Sequence, residues 1–130
     1  MKVMHVLNSR IYSGAEKVVC QIIKSFRGDV DMVYCSPDSE IVRQMLAEQD
    51  VTFLPMENMS IAELKRVINE QKPDLIHAHD MRASFFSALC CGKIPLVSHI
   101  HNNAYDARGL ATKAAHLPLG RWLHYPRRAQ

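Results

Sequence analysis

The sequence lacks several patterns that define common protein classes. No run of about 18 apolar residues is present, so no segment has the length of a membrane-spanning helix. The four cysteines include no C-x-x-C spacing, and the adjacent pair Cys90 and Cys91 cannot easily form a disulfide with itself. Neither G-x-G-x-x-G nor G-x-x-x-x-G-K-[ST] occurs, which argues against dinucleotide oxidoreductases and P-loop proteins.

Length and composition predict one folded domain. The chain has 130 residues and is 48% hydrophobic, which is enough to build one core. Its start, residues 1–7, holds one lysine and a short apolar run, too short for a signal peptide. We therefore expect a cytoplasmic protein with reduced, mostly buried thiols.

Apolar runs alternate with helical patterns along most of the chain. Ser36, followed by Pro37, is placed to cap the second helix, and Gly28 is placed to end the first. This alternation predicts repeated βαβ units and a parallel sheet. The predicted strands are Val3–Leu7, Val30–Cys35, Val51–Leu54, Leu75–His79 and Leu96–His101.

The pattern weakens after the fifth predicted strand. A helix over Tyr105–Leu117 fits the apolar spacing, but nearby glycines and prolines prevent a long element. We predict a domain over residues 1–117 and a loosely ordered basic tail over residues 118–130. Its arginines can contact an anionic membrane surface or nucleic acid, although such clusters are more often solvated. We expect peripheral contact with the inner face of a membrane as one use of this tail, and no nucleic-acid partner.

The turn after the first predicted strand is the centre of the predicted site. Ser13 is placed as the N-cap of the first helix and Glu16 as its capping-box partner. Gly14 has no side chain, so a ligand can approach the backbone there. A helix N-terminus with free N–H groups can hold a phosphate, although a Ser-Gly pair is more often only a structural cap.

Three polar clusters follow predicted strands one, four and five. They are residues 9–16, His79 with Asp80, and residues 101–103. A doubly wound, Rossmann-like α/β fold with strand order 3-2-1-4-5 and helices on both faces brings these strand ends to one crevice. The sequence therefore predicts a ligand site where the strand order reverses.

Three segments resemble the N-terminal domain of family 4 glycosyltransferases of the GT-B architecture. The resemblance covers about residues 1–105 in both order and spacing. It implies one half of a two-domain fold whose cleft holds a nucleotide sugar. The segments are S-G-A-E-K-V-V at residues 13–19, K-P-D-L-I-H-A-H at 72–79 and I-P-L-V-S-H-I-H-N at 94–102.

The resemblance also implies roles for individual residues. The backbone of Gly14 lies at the donor phosphates, and His101 lies beside the transferred sugar as the catalytic residue. Binding of the acceptor and the donor phosphates is implied for Ser13, Gly14, Glu16, His79, Asp80 and Asn102, with His79 and Asp80 on the acceptor side.

Two departures from the family pattern matter. Many relatives have two glycines where this chain has Ser13 and Gly14. The C-terminal domain, with the paired-glutamate motif that holds the nucleotide sugar, has no counterpart here. We therefore expect a truncated form of the family, inactive alone, with a partner chain that carries the donor domain as one possibility.

The histidines allow a competing interpretation as a metal site. His77 and His79 share one strand face, as do His99 and His101, and two such pairs on neighbouring strands can bind zinc. Packing or hydrogen bonding on the sheet explains His77 and His99 more simply. We predict no metal site and no cofactor, with the nucleotide sugar acting as donor substrate.

Two functions remain open from the sequence. The first is a hexosyl-type glycosyltransferase of the retaining class, as the resemblance implies, that moves a sugar to a glycan or lipid-linked acceptor in polysaccharide or lipopolysaccharide biosynthesis. The second is a non-catalytic module that binds a phosphorylated ligand or a partner protein.

Overall fold

The computed structural model describes residues 1–99 and the strand Trp122–Tyr125. Strands and helices alternate, as the sequence predicts. The strands are β1 (Lys2–Val6), β2 (Asp31–Pro37), β3 (Phe53–Met56), β4 (Leu75–Ala78), β5 (Leu96–His99) and β6 (Trp122–Tyr125). The helices are α1 (Gly14–Ser25), α2 (Glu40–Glu48), α3 (Ile61–Gln71) and α4 (Met81–Cys90).

The strands form one parallel sheet in the order β3-β2-β1-β4-β5-β6. The predicted order of the first five strands and the Rossmann-like α/β class are therefore confirmed. The sixth strand extends the sheet beyond β5 and falls within residues 118–130, for which the sequence predicts a loose tail. The rest of that tail and the helix predicted over Tyr105–Leu117 lie outside the described residues.

Helices cover both faces of the sheet and create two cores. Alternate residues of β1 point to opposite sides, so Met4 and Val6 join the core under α3 and α4. Leu7, just after β1, joins the core under α1 and α2 together with Tyr34. Among the described residues, no helix combines the length and the apolar character needed to cross a membrane.

The start of α2 differs from the sequence prediction. The N-cap is Ser39, whose hydroxyl accepts a hydrogen bond from the N–H of Val42 at 3.4 Å. Ser36 and Pro37 instead extend β2, where Pro37 pairs with Met56. The local capping signal of Ser36 was overridden because pairing with β3 extends the strand through both residues. The third strand is likewise displaced, from the predicted Val51–Leu54 to Phe53–Met56.

Loss of the observed cap should destabilise the chain. Ser39→Ala removes the acceptor for Val42 and the donor to the carbonyl of Arg10, a bond of 2.6 Å. We expect the free energy of unfolding to fall by about 1 kcal/mol, as measured by urea denaturation. Ser25→Ala, which removes an exposed hydroxyl that only bonds back into α1, serves as the control. Equal effects of the two substitutions would contradict the assigned cap.

Candidate active site

The carboxyl ends of β1 and β4 meet at the centre of the sheet, and the loop after β1 crosses above them. That loop is held from its far side by Arg10. The guanidinium of Arg10 donates to the carbonyl of Asp38 at 2.7 Å and to that of Glu57 at 3.1 Å, so it joins the loops after β2 and β3. The β1–α1 loop is therefore supported by the neighbouring loops, and the N-terminus of α1 lies at a defined position beside the crevice.

The N-terminus of α1 is open to solvent. Ser13 is the N-cap, and its N–H donates to the carboxylate of Glu16 at 3.0 Å, which confirms the Glu16 half of the predicted capping box. Both Ser13 and Gly14 are exposed, whereas Glu16 is only 5% exposed. Apart from its two chain neighbours and the backbone of its own helix, no atom of the described residues lies within 4 Å of the position that a Cβ on Gly14 would occupy. The helix start therefore offers free backbone N–H groups beside open space.

Asp80 joins the loop after β1 to the start of α4. Its Oδ2 accepts a hydrogen bond from the N–H of Asn8 at 2.7 Å, and its Oδ1 accepts one from the N–H of Ala83 at 2.8 Å. Burial raises the pKa of this carboxyl, and the two backbone hydrogen bonds oppose that rise. Both carboxylate oxygens of Asp80 thus have partners within the chain. The residue therefore holds the β1–α1 loop and the start of α4 together at the crevice.

A cluster of four imidazoles lies on the sheet beneath the same strand ends. The rings of His77 and His79 stack with centroids 4.0 Å apart, and His99 lies 5.7 Å from His77 and 5.8 Å from His79. His5 pairs directly with His77 in the β1–β4 register. Its Nδ1 lies 2.8 Å from Nε2 of His79. We refer to these four residues as the imidazole cluster.

Sequence reasoning did not select His5. His5 can be recognised only from the tertiary structure, because the register between β1 and β4 places it opposite His77. The side chain is fully buried, and burial, together with the nearby His77, lowers its pKa to about 3. His5 is therefore neutral at physiological pH.

The structure brings together some of the predicted site residues. His79 follows β4 directly and is 1% exposed, with its backbone N–H bonded to the carbonyl of Val6. Asp80 is next to it, while Ser13 and Gly14 lie at the exposed end of α1. His101, predicted as the catalytic residue, and Asn102, predicted among the residues that bind the acceptor and the donor phosphates, lie outside the described residues.

The sequence model of Glycosyltransferase Family 4 matches residues 12–130 of this chain. The chain belongs to glycosyltransferase family 4. The resemblance inferred from the glycine turn and the histidine-bearing strands is therefore confirmed. A search of curated proteins found no match.

Solved structures share the fold at low sequence identity. Anabaena HepE in complex with UDP has a TM-score of 0.73 and 19% identity, over 88% of this chain and 35% of its own. The lipopolysaccharide outer core galactosyltransferase WaaB gives 0.70 and 11%, over 94% and 44%. MurG of Acinetobacter baumannii gives 0.67 and 11%, over 85% and 38%. The family 4 chain thus spans less than half the length of each of these proteins.

Removal of the Asp80 carboxylate should loosen the crevice. Asp80→Ala leaves the N–H groups of Asn8 and Ala83 without this acceptor, and we expect a loss of about 2–3 kcal/mol in the free energy of unfolding. Asp29→Ala, at an exposed position in the turn after α1, is the matched control and should change it by less than about 0.5 kcal/mol. Hydrogen exchange should show Asn8 losing protection in the Asp80 variant, and unchanged protection there would argue against the bridging role.

Proposed function

We propose that this chain is the acceptor-side domain of a glycosyltransferase that moves a hexosyl group from a nucleotide diphosphate sugar to a glycan or lipid-linked acceptor, with retention of configuration. The family match over residues 12–130 is the observation that carries the proposal. The likeness to WaaB, a lipopolysaccharide outer core galactosyltransferase, supports a place in lipopolysaccharide or polysaccharide biosynthesis.

The proposed chemistry requires stabilisation of a leaving diphosphate. Negative charge builds up on its oxygens as the glycosidic bond to the donor breaks, and preorganised N–H groups aimed at that charge lower the barrier. The open start of α1 at Gly14 supplies such groups with the positive end of the helix dipole. The likeness to HepE, solved in complex with UDP, supports a nucleotide-sugar donor.

We assign the remaining roles within this proposal. His101 acts beside the transferred sugar, and Asn102 contacts the same ligand. The side of the crevice formed by His79 and Asp80 receives the acceptor, with Asp80 acting through the position of the β1–α1 loop. Transfer requires no metal or other cofactor. The basic segment that includes Arg127 and Arg128 contacts the cytoplasmic face of a membrane, where lipid-linked acceptors are found.

A branched side chain at Gly14 should block this function without unfolding the domain. For this test, the chain is fused to the C-terminal part of HepE, and transfer or hydrolysis of radiolabelled UDP-glucose is followed with a panel of lipid-linked acceptors. We expect Gly14→Val to lower turnover at least about 100-fold, because its side chain fills the open space where the phosphates approach. The melting temperature should change little.

The matched control places the same side chain elsewhere on α1. Gln21→Val alters an exposed position of the helix away from its N-terminus and should keep near-normal turnover. Normal turnover of Gly14→Val would refute the proposed phosphate site. A fusion that binds inorganic phosphate at this site but never transfers sugar would favour the non-catalytic binding module.

The isolated chain should transfer no sugar. The proposal assigns donor binding to a second domain, supplied by a partner chain or a longer protein, so the 130-residue chain alone lacks half of the cleft. Incubation with nucleotide sugars and lipid-linked acceptors should give no product above background, measured by mass spectrometry. Turnover by the chain alone would contradict this division of roles.

A further inference from the structure

Three members of the imidazole cluster converge in a way that packing alone does not require. His5, His77 and His79 each offer one ring nitrogen, and these three atoms all lie within 4.8 Å of one another. Nδ1 of His5 and Nε2 of His79 are 2.8 Å apart. Burial of several imidazoles within a sheet has a desolvation cost, which a shared ligand can offset.

We propose that His5, His77 and His79 form a binding site for Zn²⁺. The site shares His79 with the acceptor side of the proposed crevice, but metal binding is measured without sugar transfer. Zinc favours nitrogen ligands at about 2.0–2.1 Å in tetrahedral geometry, which puts ligand nitrogens about 3.3 Å apart. The 2.8 Å pair has to open by about 0.5 Å, and no pair has to close by more than about 1.5 Å. Small rotations of the imidazole rings supply movements of this size.

The surroundings of His5 prepare its Nδ1 for a metal. Nε2 of His5 lies 3.3 Å from the sulfur of Met32, and a thioether can only accept a hydrogen bond. The proton of the neutral ring is therefore on Nε2, and Nδ1 carries the lone pair that faces His79. A metal-bound histidine usually donates its second N–H to an oxygen, and here the sulfur of Met32 takes that place.

This assignment also defines the state of His79 before zinc binds. Since Nδ1 of His5 is the acceptor, Nε2 of His79 carries the proton in their hydrogen bond. Binding of zinc at that nitrogen requires the proton to leave it, either to Nδ1 of the same ring or to solvent. With three protein ligands, a tetrahedral zinc takes a water molecule as its fourth ligand.

The histidine pattern of the sequence suggests a different set of metal ligands, and from it we predicted no metal site. That set consists of two pairs, His77 with His79 and His99 with His101. The structure instead adds His5 from β1, because the parallel register places it opposite His77. The ring of His99 lies near the trio but supplies none of its three converging atoms.

The test uses the untagged 130-residue chain with Co²⁺ as a spectroscopic probe and Zn²⁺ as a competitor. We expect one Co²⁺ per chain with the visible absorption of a four-coordinate site, which Zn²⁺ displaces. His77→Ala should weaken Zn²⁺ binding at least about tenfold, because loss of a supporting residue alone costs that much at known sites. The matched control, His99→Ala, alters another half-buried imidazole of the cluster and should weaken binding less than about threefold.

A second measurement keeps the result independent of how the variants fold. X-ray absorption at the zinc edge of the loaded wild-type chain should fit three imidazole ligands and one oxygen. Failure to bind one equivalent of metal would overturn the proposal. A fit with fewer than two imidazoles would also overturn it. So would a loss of binding in His99→Ala as large as in His77→Ala, since zinc would then be bound by a different set of histidines.

Discussion

The pairing of β1 with β4 is the constraint on which the candidate site depends. The strands that follow β1 in sequence lie on one side of it, and β4 begins the other half of the sheet. Because the strand order reverses here, α1 packs against one face and α4 against the other. The loops that lead into these helices separate above the two strands, and the crevice is the space between them. Asp80 joins the two loops, so its carboxylate contributes to the width of the crevice.

The support of the β1–α1 loop is distributed over three strands. Arg10 holds it to the loops after β2 and β3, and Ser39 donates a hydrogen bond to the carbonyl of Arg10. Each of these bonds is exposed and contributes little alone. Together with Asp80 they fix the loop from both sides, so that Gly14 remains open while its backbone is held in place. This combination of an open surface and a fixed backbone is what electrostatic stabilisation of a transition state requires.

The sequence was informative wherever local patterns and tertiary pairing agree. The helical spacing of apolar residues, the cap at Ser13 and the five short apolar runs predicted the alternation of strands and helices, and the doubly wound fold class then predicted the strand order. The predicted start of α2 was wrong because Ser36 and Ser39 are both suitable N-cap residues. Only the pairing of β2 with β3 determines that Ser39 is the cap.

The candidate site shows the same limit. The turn at Gly14 could be located because capping chemistry is local. The bridging role of Asp80 depends on a backbone group of Asn8, which lies 72 residues earlier in the chain. The role of His5 depends on the register between two strands, which is not encoded in any short motif.

Glu16 sets a limit on the anion that the start of α1 can hold by itself. Its buried carboxylate already occupies the N–H of Ser13 and adds negative charge at the positive end of the helix. The first backbone bond of α1 is from the N–H of Lys17 to the carbonyl of Ser13, so the N–H groups of Gly14, Ala15 and Glu16 precede it and have no acceptor in the helix backbone. These few N–H groups can bind a phosphoryl group but cannot balance the charge of a diphosphate. In the proposed enzyme, most of that compensation must come from positive or N–H groups across the cleft, which is the physical reason for assigning donor binding to a second domain.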